Sequence, residues 1–151
     1  MFVEIKNTLP ADIPTAYTLT RELMEYHNAL DIFTMSQERF SELIQTGAIM
    51  SFIAYIDNEP VGVMNAFYKY TTFTGRKIFY IEDLYSRKEF RGCGIGGKFL
   101  EKAKEISSLN DCEQIELKCA SWNKNSAGFY KSHGMSLDTD WEVYILDKSL
   151  F

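Results

Sequence analysis

Apolar positions change their spacing several times along the chain, and each change predicts a new element. Residues 1–6, Met1-Phe2-Val3-Glu4-Ile5-Lys6, read as a first strand. Ile13, Tyr17, Leu19, Leu23 and Met24 then follow a roughly helical stripe after Pro10-Ala11-Asp12-Ile13-Pro14, which predicts a helix over 10–28. Ser36, with Arg39 and Phe40 behind it, opens a shorter helix over 36–46, and Gly47 ends it. β-formers fill 50–56, Asp57-Asn58-Glu59-Pro60 is a turn, and 61–70 pairs back as an antiparallel hairpin carrying Gly62 and a run of aromatics. Thr74-Gly75-Arg76 turns the chain into an apolar strand over 78–85. An amphipathic helix over 98–107, a strand over 114–119, a helix over 125–132 and a last strand over 141–146 complete the pattern. No linker or repeat interrupts it. The order β-α-α-β-β-β-α-β-α-β predicts an α/β fold with a mixed sheet and one crossover, held in a single domain over 1–151.

Composition narrows the classes. Apolar residues make up 46% and aromatics 15% of the 151 residues, enough for a core of ordinary size. The formal net charge of −5 argues against nucleic acid and favours a cationic small-molecule partner. No apolar run reaches the roughly 20 residues of a membrane span, and the N-terminus does not read as a secretory signal, so no membrane partner is expected. The three cysteines lack metal-type spacing and neither histidine completes a Cys/His cluster. The expectation is reduced thiols, no metal, and a cytoplasmic protein.

The densest chemistry lies in Phe90-Arg91-Gly92-Cys93-Gly94-Ile95-Gly96-Gly97-Lys98-Phe99, between the strand 78–85 and the helix 98–107. Glycines at a strand-to-helix junction let a ligand approach the backbone, and the helix N-terminus favours an anion such as a phosphate. Gly92-x-x-x-x-Gly97-Lys98 begins like a P-loop, but Phe99 stands where the magnesium-binding hydroxyl is needed. Gly92-x-Gly94-x-x-Gly97 also fits a dinucleotide fingerprint, with Glu116 in place of the ribose acid. The polar run Ser86-Arg87-Lys88-Glu89 separates it from its strand, and too little chain follows for a doubly wound sheet. Arg91-x-x-Gly94-x-Gly96 is the third pattern, and a structural turn without ligand the fourth alternative. Cys93 reads as a small residue filling a tight turn.

A second segment follows about thirty residues later: Trp122-Asn123-Lys124-Asn125-Ser126-Ala127-Gly128-Phe129-Tyr130-Lys131-Ser132-His133-Gly134-Met135. Together the two segments resemble the acetyl-CoA loop and the Asn-to-Gly motif of the GNAT N-acetyltransferase superfamily. Tyr80-Ile81-Glu82-Asp83-Leu84, Tyr85, Ala120-Ser121-Trp122-Asn123, Phe129-Tyr130-Lys131 and Trp141 extend the likeness to its spermidine/spermine and thialysine acetyltransferase branch, with Arg21-Glu22-Leu23-Met24-Glu25-Tyr26 a weaker match. The resemblance implies a GNAT fold with a mostly antiparallel central sheet, a homodimer, and transfer of acetyl from acetyl-CoA to a primary amine. A diamine, polyamine or lysine-like amine is the acceptor it favours. An amine-bearing antibiotic, a protein amino group, or a non-catalytic CoA-binding module are the alternatives.

Residue by residue, the resemblance assigns the pyrophosphate to the backbone of Gly92, Cys93, Gly94, Ile95, Gly96 and Gly97, with Arg91 adding charge. It assigns the pantetheine arm to Leu84, Tyr85 and Ser86, and to Asn123 and Ser126 at the next helix. Tyr130 occupies the position that protonates the departing sulfur; a phenol's ordinary pKa is about 10. Packing in the core is its alternative role. Glu82 and Asp83 stand side by side in an apolar strand, where alternation sends them to opposite faces and one of them toward an interior or cleft. Glu82 matches the group that accepts the amine's proton, with desolvation expected to raise its pKa, and Asp83 would attract a cationic substrate or form an ion pair. Tyr26, His27 and Trp141 complete the candidate substrate site. His27 stands where the polyamine branch has an acid, which favours a shorter cation. His133 is expected to cap a helix end beside Gly134.

Overall fold

One five-stranded sheet runs in chain order: β1 (Glu4–Asn7), β2 (Met50–Ile56), β3 (Glu59–Tyr70), β4 (Lys77–Ser86) and β5 (Cys112–Leu117). The computed structural model describes Met1–Phe151, which fall into two compact units, Met1–Lys118 and Cys119–Phe151. The first holds the sheet with α1 (Ile13–Tyr26), α2 (Gln37–Gln45) and α3 (Ile95–Leu109); the second holds α4 (Lys124–Ser132). Neighbours are antiparallel from β1 to β4, and only β4 and β5 are parallel, joined through α3. The mixed, mostly antiparallel sheet is the expected one.

Local chemistry sets the element ends. Asp57 and Asn58 adopt φ of 50° and 65°, the left-handed values of a two-residue hairpin turn. The turn is therefore tighter than expected, and β3 begins at Glu59 instead of 61. Pro10–Asp12 form a 3-10 turn, so α1 starts at Ile13, and Asn28 ends it at φ 52° by sending the Ala29 amide back to the Met24 carbonyl. Ser36 caps α2 as expected, its hydroxyl accepting from the Arg39 amide at 3.1 Å.

Two helical layers cover the sheet. Ile13, Ala16 and Leu19 of α1 and Phe40 of α2 pack on Ile53 and Val63, with Tyr55 and Tyr85 at the margin. Gly62, the neighbour of Val63, faces the other way, toward Ile95 and Phe99 of α3. Burial from both sides explains the nearly continuous apolar run of β2.

Three expectations are corrected. β1 is Glu4–Asn7, not 1–6. β5 ends at Leu117, so Cys119 lies beyond the strand and is exposed. Residues 141–146 form no strand: no ladder includes them, and Trp141, Val143, Tyr144, Ile145 and Leu146 are exposed. High β-propensity needs a hydrogen-bonding neighbour to become a strand.

A Cβ placed on Gly62 would lie 2.5 Å from the Tyr85 carbonyl oxygen and 3.2 Å from the Ile95 methyl Cγ2. Gly62→Ala is therefore expected to destabilise the fold by about 1–3 kcal/mol, read as a lower urea midpoint with unchanged slope.

Candidate active site

The glycine segment forms a turn after β4, within which the Cys93 amide donates to the Phe90 carbonyl oxygen at 3.3 Å. Lys88–Phe90 make a 3-10 turn, Gly92 and Gly94 both sit at φ 84°, and Gly94 is the N-cap of α3 with no side-chain cap. Only glycine adopts that backbone readily. Helix α3 begins at Ile95, not at 98, so Ile95, Gly96 and Gly97 are its first turn. Amides of a first turn have no intrahelical acceptor, and the helix dipole adds partial positive charge there. The arrangement suits an anion, as the sequence implied. Arg91 is exposed, lies 4.6 Å over the Tyr26 ring, and reaches the Ser86 carbonyl oxygen at 3.4 Å. The end of α1, with Tyr26 and the partly buried His27, is thereby placed beside the glycine turn.

Behind the turn, Arg87 grips Glu22 of α1 through two hydrogen bonds, Nε to Oε2 at 3.0 Å and Nη2 to Oε1 at 2.8 Å, and donates to the Pro60 carbonyl at 3.0 Å. The fork holds the exit of β4 to the helix; its hydrogen bonds raise the Arg87 pKa further.

The acid pair sits at a bulge. Asn65 pairs with Asp83 and Ala66 with Ile81, leaving Glu82 as an extra residue outside the ladder. Strict alternation therefore fails at this point, and so does the expectation of where desolvation acts. Glu82 is exposed. Asp83 is the desolvated acid, its carboxyl pushed from 3.8 up to about 6 by burial and further by Glu82, against a hydrogen bond from Asn65 that lowers it. The donor is Asn65 Nδ2, 2.9 Å from Asp83 Oδ2. Leu84, Tyr85 and Ser86 follow as half-buried residues running into the turn.

In the second unit the Asn-to-Gly motif is first a set of helix stops. Asn123 is buried and caps α4, its Oδ1 accepting from the Ser126 amide at 3.1 Å. At the other end Gly134, at φ 85°, donates to the Lys131 carbonyl and Met135 to the Tyr130 carbonyl, the paired bonds of a Schellman ending. His133 is the C-cap residue beside Gly134, as expected, with Nδ1 2.9 Å from the Phe129 carbonyl oxygen. Tyr130 packs edge-on against Phe129, and burial pushes its phenol to about 12, above the ordinary value. Trp141 is exposed.

Sequence reasoning missed Asn65 and Thr20, both buried and bonded to each other behind Asp83. An asparagine inside an aromatic-rich strand was the available signal, since strands disfavour Asn. Cys93 is partly buried in the turn, as expected of a filler.

A mixed sheet whose fourth strand runs through a glycine turn into a helix defines the acyl-CoA acyltransferase class. The acetyltransferase (GNAT) family model matches residues 16–135. The thialysine N-epsilon-acetyltransferase of Bos taurus is 33% identical over 143 residues, covering 88% of this chain and 84% of that protein. The spermidine/spermine N(1)-acetyltransferase-like protein 1 of Homo sapiens is 24% identical over 158 residues, covering 95% of this chain and 22% of that protein. Among solved structures, an aminoglycoside acetyltransferase from a soil metagenomic sample, in complex with sisomicin, superposes with a TM-score of 0.81 at 18% identity, covering 97% of each chain. The chain belongs to the GNAT family and is an acetyltransferase, and enzymes of this family draw their acetyl group from acetyl-CoA.

A carboxyl whose folded pKa lies above its unfolded value favours folding at low pH, and this contribution is lost as pH rises from 3.8 through about 6. Asp83→Asn removes the charge and keeps the acceptor. It is expected to raise Tm at neutral pH by a few degrees and to leave Tm near pH 3.8 almost unchanged, checked by calorimetry at both pH values. An equal change at both would show that burial of charge is not the cause.

Proposed function

We propose that this enzyme acetylates the primary amine of a small cationic metabolite, a diamine, polyamine or lysine-like amine, using acetyl-CoA. The observation that carries the reading is the acid pair at the β4 bulge, one carboxyl exposed and one desolvated, immediately before the glycine turn. An alkylammonium has a pKa of about 10 and arrives protonated, so it needs a carboxylate to bind it and a base to deprotonate it. Identity of 33% to a thialysine N-epsilon-acetyltransferase supports an acceptor of this kind. The family match over 16–135 runs through both units, which supports treating 1–151 as one acetyltransferase domain.

In this mechanism the amides of Gly92 and of 94–97 and the charge of Arg91 hold the pyrophosphate, the Cys93 amide being taken by the Phe90 carbonyl oxygen, and the backbone of Leu84, Tyr85 and Ser86 holds the pantetheine arm. Because the Asn123 Oδ1 and the Ser126 amide are spent on the cap, and the Asn123 backbone amide on the Ala120 carbonyl, their share of that contact falls to Asn123 Nδ2 and the Ser126 hydroxyl. The thioester supplies the acetyl group. Asp83 binds the substrate's cation, and Glu82 takes its proton through water, as its exposure allows. The amine nitrogen bonds to the acetyl carbon as the carbon–sulfur bond breaks. Tyr130 donates a hydrogen bond to the sulfur; burial pushes its pKa to about 12, well above the roughly 8.5 of an ordinary thiol, so it keeps its proton and stabilises the departing thiolate as a donor, the assigned protonation of the sulfur being uphill from this phenol. The resemblance assigns Tyr26 and His27, at the end of α1, to the amine, and Trp141 of the second unit likewise. On this reading the enzyme works in the cytoplasm as a homodimer, with the aromatic-rich hairpin over 61–70 as the seam.

Tyr130→Phe and Glu82→Gln are each expected to lower kcat by about 10²–10⁴-fold and to leave acetyl-CoA affinity by calorimetry nearly unchanged. Rates equal to the parent in both variants would remove the assigned roles. Acetyl-CoA binding without turnover across diamines, polyamines, thialysine, lysine and aminoglycosides would leave a CoA-binding module.

A further inference from the structure

Behind the acid pair runs a hydrogen-bond chain whose direction is set by a helix backbone. The Thr20 hydroxyl donates to the Ala16 carbonyl oxygen of α1 at 2.8 Å. Its oxygen is thereby left as an acceptor, and Asn65 Nδ2 donates to it at 2.8 Å. The same nitrogen's second hydrogen goes to Asp83 Oδ2 at 2.9 Å. Read outward from α1, every link donates toward the helix or toward Asp83, so Asp83 closes the chain as an acceptor. A carboxylate meets that demand at either oxygen; the neutral acid meets it only with its proton on Oδ1, and more weakly, since the bond is then no longer charge-assisted.

Asn65 meets this demand at a disadvantage to itself. It is 2% exposed, and its Oδ1 is buried with no hydrogen-bond partner. Turning the amide over would offer Oδ1 to a protonated Asp83 and strand Nδ2 instead. The orientation present makes both bonds through Nδ2, and the one to Asp83 is stronger when that carboxyl is ionised, because it is then charge-assisted. Across the strands Asn65 and Asp83 are register partners, on the last rung before the bulge at Glu82.

We propose that Asn65 is a positioning residue of the acetyltransferase: its amide, anchored on Thr20, fixes the Asp83 carboxylate beside the Glu82 bulge so that it can receive the substrate's cation. The inference rests on the reading that Asp83 meets that cation. Around Asp83, β3 presents Asn65, α1 presents Thr20, and Glu82 on the same strand contributes repulsive charge. Glu22 of α1 is taken up by Arg87 just beyond the end of β4.

The test uses the full chain. The side-chain carboxyl of Asp83 is titrated by carbon-detected NMR without acetyl-CoA, its resonance assigned with Asp83→Asn, in the parent and in Asn65→Leu, which keeps volume and removes the donor. The expected result is a midpoint higher by about one pH unit in Asn65→Leu, a tenfold gain in proton affinity. The acid limb of kcat/KM for the amine should move by the same amount. A midpoint that does not move, or one that moves while the acid limb stays, overturns the proposal. Should Asn65→Leu fail to fold, Thr20→Val decides the matter: it removes the anchor and should raise the midpoint, and an unmoved midpoint overturns the proposal equally. Because the titration needs no turnover, its failure is distinguishable from a parent enzyme that acetylates no amine.

Discussion

Helix α3 lies as close to the sheet as it does because residue 62 has no side chain: the place a Cβ would take is within 2.5 Å of the Tyr85 carbonyl oxygen and in contact range of Ile95 and Phe99. Everything at the glycine turn depends on that approach. Ile95 opens the helix and is itself fully packed, so the first-turn amides are carried on a buried anchor instead of a swinging loop. On the other side of the strand, Arg87 and Glu22 tie the same exit of β4 to α1. A donor array held from both faces needs little reorganisation when charge arrives, which is the condition under which backbone dipoles act most strongly.

The same strand carries an opposing tendency. Burial of Asp83 works against its ionised form, while the Asn65 amide works for it. Sites that bind or deprotonate a cation commonly hold such a balance, because a fully solvated carboxylate attracts weakly and a fully buried one stays neutral. The bulge at Glu82 permits two adjacent acids to occupy unlike surroundings without interrupting the hydrophobic face that precedes them. Regular pleating would have fixed their orientation by parity alone.

Much of the architecture was legible because its causes are local. The Asp57-Asn58 hairpin, the Ser36 cap, the Gly134 ending and the glycine turn all rest on contacts within a few residues, and each appears where the residue types point. Where the reading slipped, the cause was a partner distant in sequence. Residues 141–146 have the composition of a strand, yet a strand exists only through a neighbour's ladder, and none includes them. Helix α3 starts earlier than its amphipathic stripe suggested, because Gly94 serves as cap and the two glycines after Ile95 take helical geometry.

By itself the sequence determined the class: a glycine-rich turn between strand and helix, followed by an Asn-to-Gly helix motif, is specified by short-range backbone chemistry and survives any rearrangement of the rest. Tertiary structure alone decided which acid is desolvated and what offsets it, because the Asp83 carboxyl is buried by the fold and receives its hydrogen bond from Asn65 of β3, eighteen positions away, itself bonded to Thr20 of α1, forty-five positions from Asn65. Periodicity can say that two neighbours in a strand differ in surroundings. Only the register of the next strand, and the bulge it forces, says which of them loses water.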